Sequence, residues 1–150
     1  MNEVQALRAD YDNLGARIAA LEAKQAMRSI ALPARAIALR DGEQWAGMVL
    51  NSDGTPSYDL ILLPAEEEDI TWENAMKWAE SLGGDLPDRN EQALLYANLK
   101  DSFAGAWYWS KAQHVSDSDY AWAQHFGNGY QLSYHKGYKL RARAVRRLAI

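Results

Sequence analysis

The sequence predicts an α+β domain preceded by a separate oligomerising helix. Three observations carry this. Apolar residues recur in a three-four alternation from Val4 to Leu21. Two helix-period segments lie in mid-chain, between Thr71 and Leu99. Short alternating segments, separated by Gly, Asn and Pro turns, fill the stretches before and after them. At 150 residues and 48% hydrophobic, the chain is long enough for one domain with a core of its own.

The first element is a coiled-coil helix within residues 1–28. Val4, Tyr11 and Ile18 take the a positions and Leu7, Leu14 and Leu21 the d positions. The flanking g and e positions then oppose Glu3 to Arg8 and Arg17 to Glu22, which favours parallel, in-register pairing between copies. Three heptads alone are marginal, so the globular domain must help. The alternative is one amphipathic helix packed on its own domain, but the stripe is a narrow seam rather than a broad face. Val and Ile at a with Leu at d lean towards a dimer, and Tyr11 blurs that preference.

Residues 29–43 read as a linker with a first strand, Ala34–Leu39, after Pro33 has broken the helix. Asp41-Gly42 is a turn into a second strand, Trp45–Leu50. A third strand, Tyr58–Leu63, carries the unbroken apolar run of a buried one and ends at Pro64. Glu66–Asp69 reads as a solvated acidic loop ahead of a helix. Thr71 is the expected N-cap of a helix ending at Gly83-Gly84. Asp88 and Glu91 have capping-box spacing for a second helix reaching about Leu99. Trp107–Ser110, Tyr120–Phe126, Tyr130–Tyr134 and Leu140–Leu148 read as strands of an antiparallel sheet, with turns at 127–129 and 135–137. Leu140, Ala142, Ala144 and Val145 are the expected inward residues of the last one.

Charge is unevenly spread. Residues 64–106 carry ten acids and three bases, whereas residues 107–150 carry two acids and seven bases. The last five bases, Lys139, Arg141, Arg143, Arg146 and Arg147, either neutralise the acidic middle of the same fold or attract an anionic ligand. The net charge of −4 argues against nucleic acid. No apolar run approaches the roughly 20 residues of a membrane-spanning helix.

Catalytic motifs are absent. With no cysteine there is no disulfide scaffold, thiolate metal site or cysteine nucleophile. His114, His125 and His135 lack the short paired spacing of a zinc site, so no metal or cofactor is expected. No nucleophile-elbow sequence surrounds Ser110 or any other serine, and no glycine-rich phosphate loop is present. A non-enzymatic protein is expected. Nine of the sixteen aromatic residues follow residue 106. Trp107, Trp109 and Trp122 are expected in the core. Tyr130, Tyr134 and Tyr138, beside Asn128, Gln131 and His135, have the composition of a binding surface, with ordinary packing as the alternative.

The order of motifs resembles the C-terminal domain family of the Legionella collagen-like adhesin, whose fold is C-type-lectin-like. The resemblance rests on the Trp-bearing helix Thr71–Leu82 and the run Gly84-Asp85-Leu86-Pro87-Asp88-Arg89-Asn90-Glu91. It continues through Tyr108-Trp109-Ser110, Ala121-Trp122, Phe126-Gly127-Asn128-Gly129 and Arg143-Ala144-Val145-Arg146-Arg147. It covers roughly residues 44–148, and assigns 44–150 to a lectin-like domain. The whole chain is also similar to small proteins of tailed phages and prophages. The resemblance implies a display fold whose loops bind a bacterial surface protein or glycan, and heads grouped as a trimer on a stalk. It also raises diversification of the C-terminal loops by a retroelement. The chain has neither the Glu-Pro-Asn or Gln-Pro-Asp nor the Trp-Asn-Asp tripeptide of calcium-dependent sugar-binding lectins, so a calcium-bridged sugar is not expected. The related formylglycine-generating chemistry requires cysteines that are absent.

The expected binding residues are therefore His114, Ser116, Asp117, Asp119, Tyr120, Asn128, Tyr130, Gln131, Tyr134, His135 and Tyr138. The N-terminus lacks the basic-then-apolar pattern of a secretory leader. The expected location is a virion or the host cytoplasm. An intracellular phage accessory or assembly protein, binding one host or virion protein, is the alternative function.

Overall fold

The computed structural model describes residues 2–26 and 29–150, in two compact units, Met1–Leu32 and Pro33–Ile150. The first unit is one helix, α1 (Glu3–Gln25). A capping box starts it: the Asn2 side chain accepts from Gln5 N at 2.8 Å and the Gln5 side chain from Asn2 N at 3.1 Å. Helix α1 stops short of residue 28, and residues 27–28 lie outside the described residues. All six seam residues are exposed in the single chain, from 47% at Ile18 to 76% at Tyr11.

The second unit contains β1 (Gln44–Leu50), β2 (Pro56–Ile70), α2 (Trp72–Ser81), α3 (Arg89–Leu99) and a 3-10 turn (Lys100–Ser102). The strands β3 (Trp107–Gln113), β4 (Tyr120–His125), β5 (Gln131–His135) and β6 (Leu140–Ala149) complete it. The chain is thus α+β, with three helices among its described residues and six strands in one sheet, ordered β1-β2-β6-β3-β4-β5. Every neighbouring pair is antiparallel except β3 and β6, which run parallel and meet at Tyr108 and Arg141. The sheet is therefore mixed, not wholly antiparallel as expected. Local patterning determines the two antiparallel ladders, whereas the single pair that joins them is a long-range contact with no periodic signature. No helix among the described residues is long and apolar enough to cross a membrane.

Tyr108 and Trp109 are successive residues on β3 and so enter opposite faces of the sheet. Trp109 shares one core cluster with Ala75 and Ala79 of α2, Ala121 and Ala123 of β4, and Ala142 and Ala144 of β6. Tyr108 shares the other with Leu95 of α3, Leu60 and Leu62 of β2, Val145 and Phe126. Leu140, Ala142 and Ala144 share one face of β6 as expected, Leu140 only half-buried, whereas Val145 is buried in the opposite cluster.

Four sequence expectations need correction. Residues 34–39 form no strand. Only Ile37 among them is half-buried, and side chains anchor the segment instead of a ladder. Arg35 pairs with buried Asp59, and Arg146 Nη2 donates to Ala38 O at 3.1 Å. Pro64 does not end its strand. The β2–β6 register breaks between Leu62 and Glu66, and this irregularity accommodates a residue with no N–H to donate. The acidic run 66–69 is accordingly the second half of β2, with Glu66 opposite Arg143 and Glu67 opposite Ala142. Thr71 occupies the N-cap position of α2 without a capping side-chain bond. Trp72 N instead donates to Lys136 O at 3.1 Å.

The basic strand is resolved in favour of internal pairing. Arg141 bridges Glu66 and Glu68, Arg146 pairs with Glu43, and Arg147 with Asp85 and Glu91. Arg143 donates to Ser102 O and Leu63 O at 2.5 and 2.7 Å. The Asp88–Glu91 capping box of α3 is present as expected.

Gly84 precedes the bridge between Asp85 and Val145, whose two N–H···O bonds measure 2.9 and 2.8 Å. A Cβ at Gly84 would lie 2.7 Å from Val145 O and 2.8 Å from Leu63 Cδ1. The first neighbour is backbone and cannot swing away. Gly84→Ala is therefore expected to cost about 1–3 kcal/mol, measured as a shift of the urea unfolding midpoint.

Candidate functional site

Strand β4 organises the candidate site. Tyr120, Trp122 and Gln124 alternate on one of its faces, opposite His135, Ser133 and Gln131 of β5. Successive members of such a row lie about 7 Å apart. His114, just past β3, donates its backbone N–H to Tyr120 O at 2.8 Å and stacks on Trp122 with ring centroids 5.7 Å apart. Tyr120 meets His135 edge-on at 5.6 Å. Tyr120, His135, Gly137 and Tyr138 line an open depression of about 430 Å³.

Local hydrogen bonds shape the two loops at this end of the sheet. Asp117 Oδ1 accepts from Asp119 N at 3.1 Å, an Asx turn that carries Ser116, Asp117 and Asp119 out to solvent. Val115 stands almost fully exposed at the tip. Lys136 N donates to Asp119 O at 2.8 Å and ties the β5–β6 loop to the β3–β4 loop. His114 Nδ1 accepts from Ser116 N at 3.2 Å, and His135 Nδ1 from Gly137 N at 3.0 Å. Each imidazole thus braces its own turn through Nδ1. His125 repeats the arrangement with Gly127 N at the other end of β4. Among the described residues, no group of three or more His, Asp or Glu is placed to hold a metal ion.

The residues expected to bind ligand are divided by the structure. His114, Ser116, Asp117, Asp119, Tyr120, His135 and Tyr138 come together at one end of β4. Asn128 and Tyr130 lie at the opposite end, where Asn128 Oδ1 accepts from Tyr130 N at 3.0 Å. Gln131 is committed internally, donating to Arg89 O at 2.8 Å and Gln124 Oε1 at 2.7 Å. Tyr134 is half-buried against Trp107, ring centroids 5.1 Å apart. Of the row Tyr130, Tyr134 and Tyr138, Tyr134 and Tyr138 meet edge-on with ring centroids 5.9 Å apart, whereas Tyr130 stands apart. Tyr130 precedes β5, Tyr134 faces the core within it, and Tyr138 follows it. His135 closes β5 and does not begin the turn.

Sequence reasoning missed two members of the face. Trp122 was expected in the core but is only half-buried, and its alternation with Tyr120 was the available signal. Arg89, from the start of α3, lies with its guanidinium carbon 3.6 Å from the centroid of the Trp122 ring. No local signal could place it, because its partners are more than 30 residues away. No protein-family model matches this chain, and no curated protein does.

Proposed function

We propose that the chain is a non-enzymatic ligand-binding protein, of the receptor-binding kind carried by phages and prophages. Its C-type-lectin-like head, akin to the C-terminal domain of the Legionella collagen-like adhesin, is displayed by a parallel coiled-coil trimer. The head grips a bacterial surface structure through the Tyr120–Trp122 face of β4 and the loops at 114–119 and 136–138. Virion and host cytoplasm are the places where such a protein acts.

One observation carries this reading. Six apolar side chains on α1 are exposed in heptad register. Water contact at Leu7, Leu14 and Leu21 is unfavourable by roughly 25 cal/mol per Å² of apolar surface, and the seam closes when copies align. The aromatic-polar face at β4 supports the binding half, since rigid rings flanked by hydroxyls and imidazoles give contact area at little entropic cost. Grouping heads multiplies a weak single-site affinity.

The test is the mass in solution of the full chain and of the double variant Leu14→Lys, Ile18→Lys, by light scattering. The wild type is expected at three times the 16.8 kDa chain mass and the variant at one. A wild type at one chain mass would sink the stalk and leave the alternative, an accessory protein binding a single partner.

A further inference from the structure

We infer that the free edge of β5 pairs with an extended peptide segment of a partner protein, and that Arg89 receives a carboxylate of that segment. This rests on the reading that the head binds a bacterial surface structure, here a protein. β5 ends the strand order, and no strand lies beyond it among the described residues. His125 N donates to Tyr130 O and Lys136 N to Asp119 O, each at 2.8 Å, so the even-numbered residues of β5 turn their backbone towards β4. Gln131 and Ser133 therefore turn theirs outward, each with an N–H and a C=O that no described residue meets. His135 O is spent within the next turn, accepting from Tyr138 N at 3.0 Å.

The two edges of the sheet are built differently. An open edge invites unwanted pairing, and bulges, prolines, inserted charges or covering groups normally blunt it. At the opposite edge, β1 is broken by register shifts between Trp45 and Gly47 and between Val49 and Leu50, and Asn98 Nδ2 donates to Ala46 O at 2.7 Å. β5 has none of these devices. Its register with β4 is unbroken, and its five residues include no proline, lysine or acid. An edge left in regular register is fit to accept another strand.

Charge at this edge selects the segment. Gln131 Oε1 accepts from Arg89 Nε at 3.0 Å, Gln131 Nε2 donates to Arg89 O at 2.8 Å, and the guanidinium carbon lies 3.6 Å from the Trp122 ring centroid. The terminal nitrogens of Arg89 find no acceptor among the described residues, and no carboxylate there lies within 4.0 Å. Its plane is therefore fixed and its fork open before a partner arrives. Gln131 and Ser133 share the face of Gln124 and Trp122, so a residue paired with either enters the face on which Arg89 lies. Such cross-strand neighbours stand about 4.5–5.5 Å apart, within reach of a glutamate carboxylate. The next residue of the segment falls opposite Leu132, whose exposed side chain on the other face suits valine. The fitting segment thus alternates acidic and β-branched residues. A second copy of β5 does not fit, because it would bring a second Arg89 and no acid.

The test is fluorescence polarisation on the full chain with labelled, capped hexapeptides. One alternates glutamate and valine, one alternates glutamine and valine, and one is the first with every glutamate N-methylated. The first is expected to bind at least about tenfold tighter than either of the others. Arg89→Met is expected to lose the preference for glutamate over glutamine. Ser133→Pro removes only an outward N–H from an edge strand, and is expected to weaken the first peptide at least about tenfold with its near-ultraviolet circular dichroism kept. No binding of the first peptide, equal binding of the N-methylated one, or unchanged binding by Ser133→Pro would overturn the pairing edge. If that variant does not fold, the N-methylated peptide decides. Equal binding of the glutamine peptide, or a glutamate preference that survives in Arg89→Met, would overturn the role of Arg89. A mass in solution that falls in Ser133→Pro would place a second copy on the edge and overturn the peptide. The mass of the wild type against that of the stalk variant decides the multivalent reading separately.

Discussion

Arg147→Met is expected to destabilise the head by about 3 kcal/mol, read from urea unfolding at neutral pH. Glu91 is fully buried at the start of α3. It accepts from Arg147 Nε at 2.6 Å and Nη2 at 2.7 Å, from the Tyr58 hydroxyl at 2.7 Å, and from Asp88 N at 2.8 Å. Removing the arginine leaves a buried carboxylate with neutral donors only, and breaking such a pair typically costs about 3–5 kcal/mol. The lower end applies here because Asp85, the second partner of Arg147, is partly exposed and can recover water. Methionine retains most of the aliphatic stem, so the loss reads the charge and not the packing.

The pH dependence of that loss has a definite sign. Burial pushes the Glu91 carboxyl up, but the Arg147 guanidinium, the Asp88 N–H and the Tyr58 hydroxyl outweigh it and hold the group below its usual value of 4.5. The stability this contributes is fully present above about pH 4.5 and is lost as pH falls through the lower folded value. In Arg147→Met the largest opposing influence is gone, and burial then favours the neutral acid. Protonation relieves the variant above pH 4.5 and the wild type loses stability below it, so the gap between them is expected to narrow as pH falls towards and below 4.5. A gap that widens in acid would show that Glu91 is not the group left unpaired. The same carboxylate raises the Tyr58 hydroxyl above its ordinary range, after burial, so that proton stays on the tyrosine and the hydroxyl remains a donor.

What was legible in the sequence was local. Helix α3 has its capping box at Asp88 and Glu91, β4 has period-two patterning closed by a glycine turn, and β2 has the unbroken apolar run of a strand buried on both faces. Residues 34–39 show the limit, since an apolar run before a turn does not say whether the backbone finds a partner strand. Pro64 shows another, because a proline ends a strand only where the ladder needs its N–H, and a register break removes that need. At the candidate site the loops at 114–119 and 136–138 carried a compositional signal, and their meeting through Lys136 N and Asp119 O followed from β4 and β5 pairing. The even spacing of Tyr130, Tyr134 and Tyr138 misled because β5 covers only the middle one. Arg89 on Trp122, and Gln131 held by Gln124, depend on packing α3 beside β4 and β5, which no single segment encodes.

Trp109→Ala is expected to be the most damaging single change, at about 5 kcal/mol, the upper end of the range for such truncations. Trp109 is the largest fully buried side chain, and its indole N–H donates to Ile70 O at 2.9 Å. Its core cluster is rich in alanine: Ala75 and Ala79 from α2, Ala121 and Ala123 from β4, and Ala142 and Ala144 from β6. Alanine walls cannot lean into a cavity as leucine or methionine walls do, because their only side-chain atom is fixed to the backbone. Collapse would require α2 to move towards the sheet, and Trp72 opposes that through its own indole bond to Ser110 O at 2.8 Å. The cavity closes only as far as Leu63, Leu86 and the half-buried Met76 can lean in, and Ile70 O at the end of β2 loses its donor. A loss of this size rivals the whole stability of an ordinary domain, about 5–15 kcal/mol. The variant should lose its near-ultraviolet circular dichroism and cooperative melting at 25 °C. Trp109→Phe, which refills part of the volume but not the hydrogen bond, should fall between it and the wild type. If alanine and phenylalanine cost the same, the indole hydrogen bond rather than the cavity sets the stability of this core.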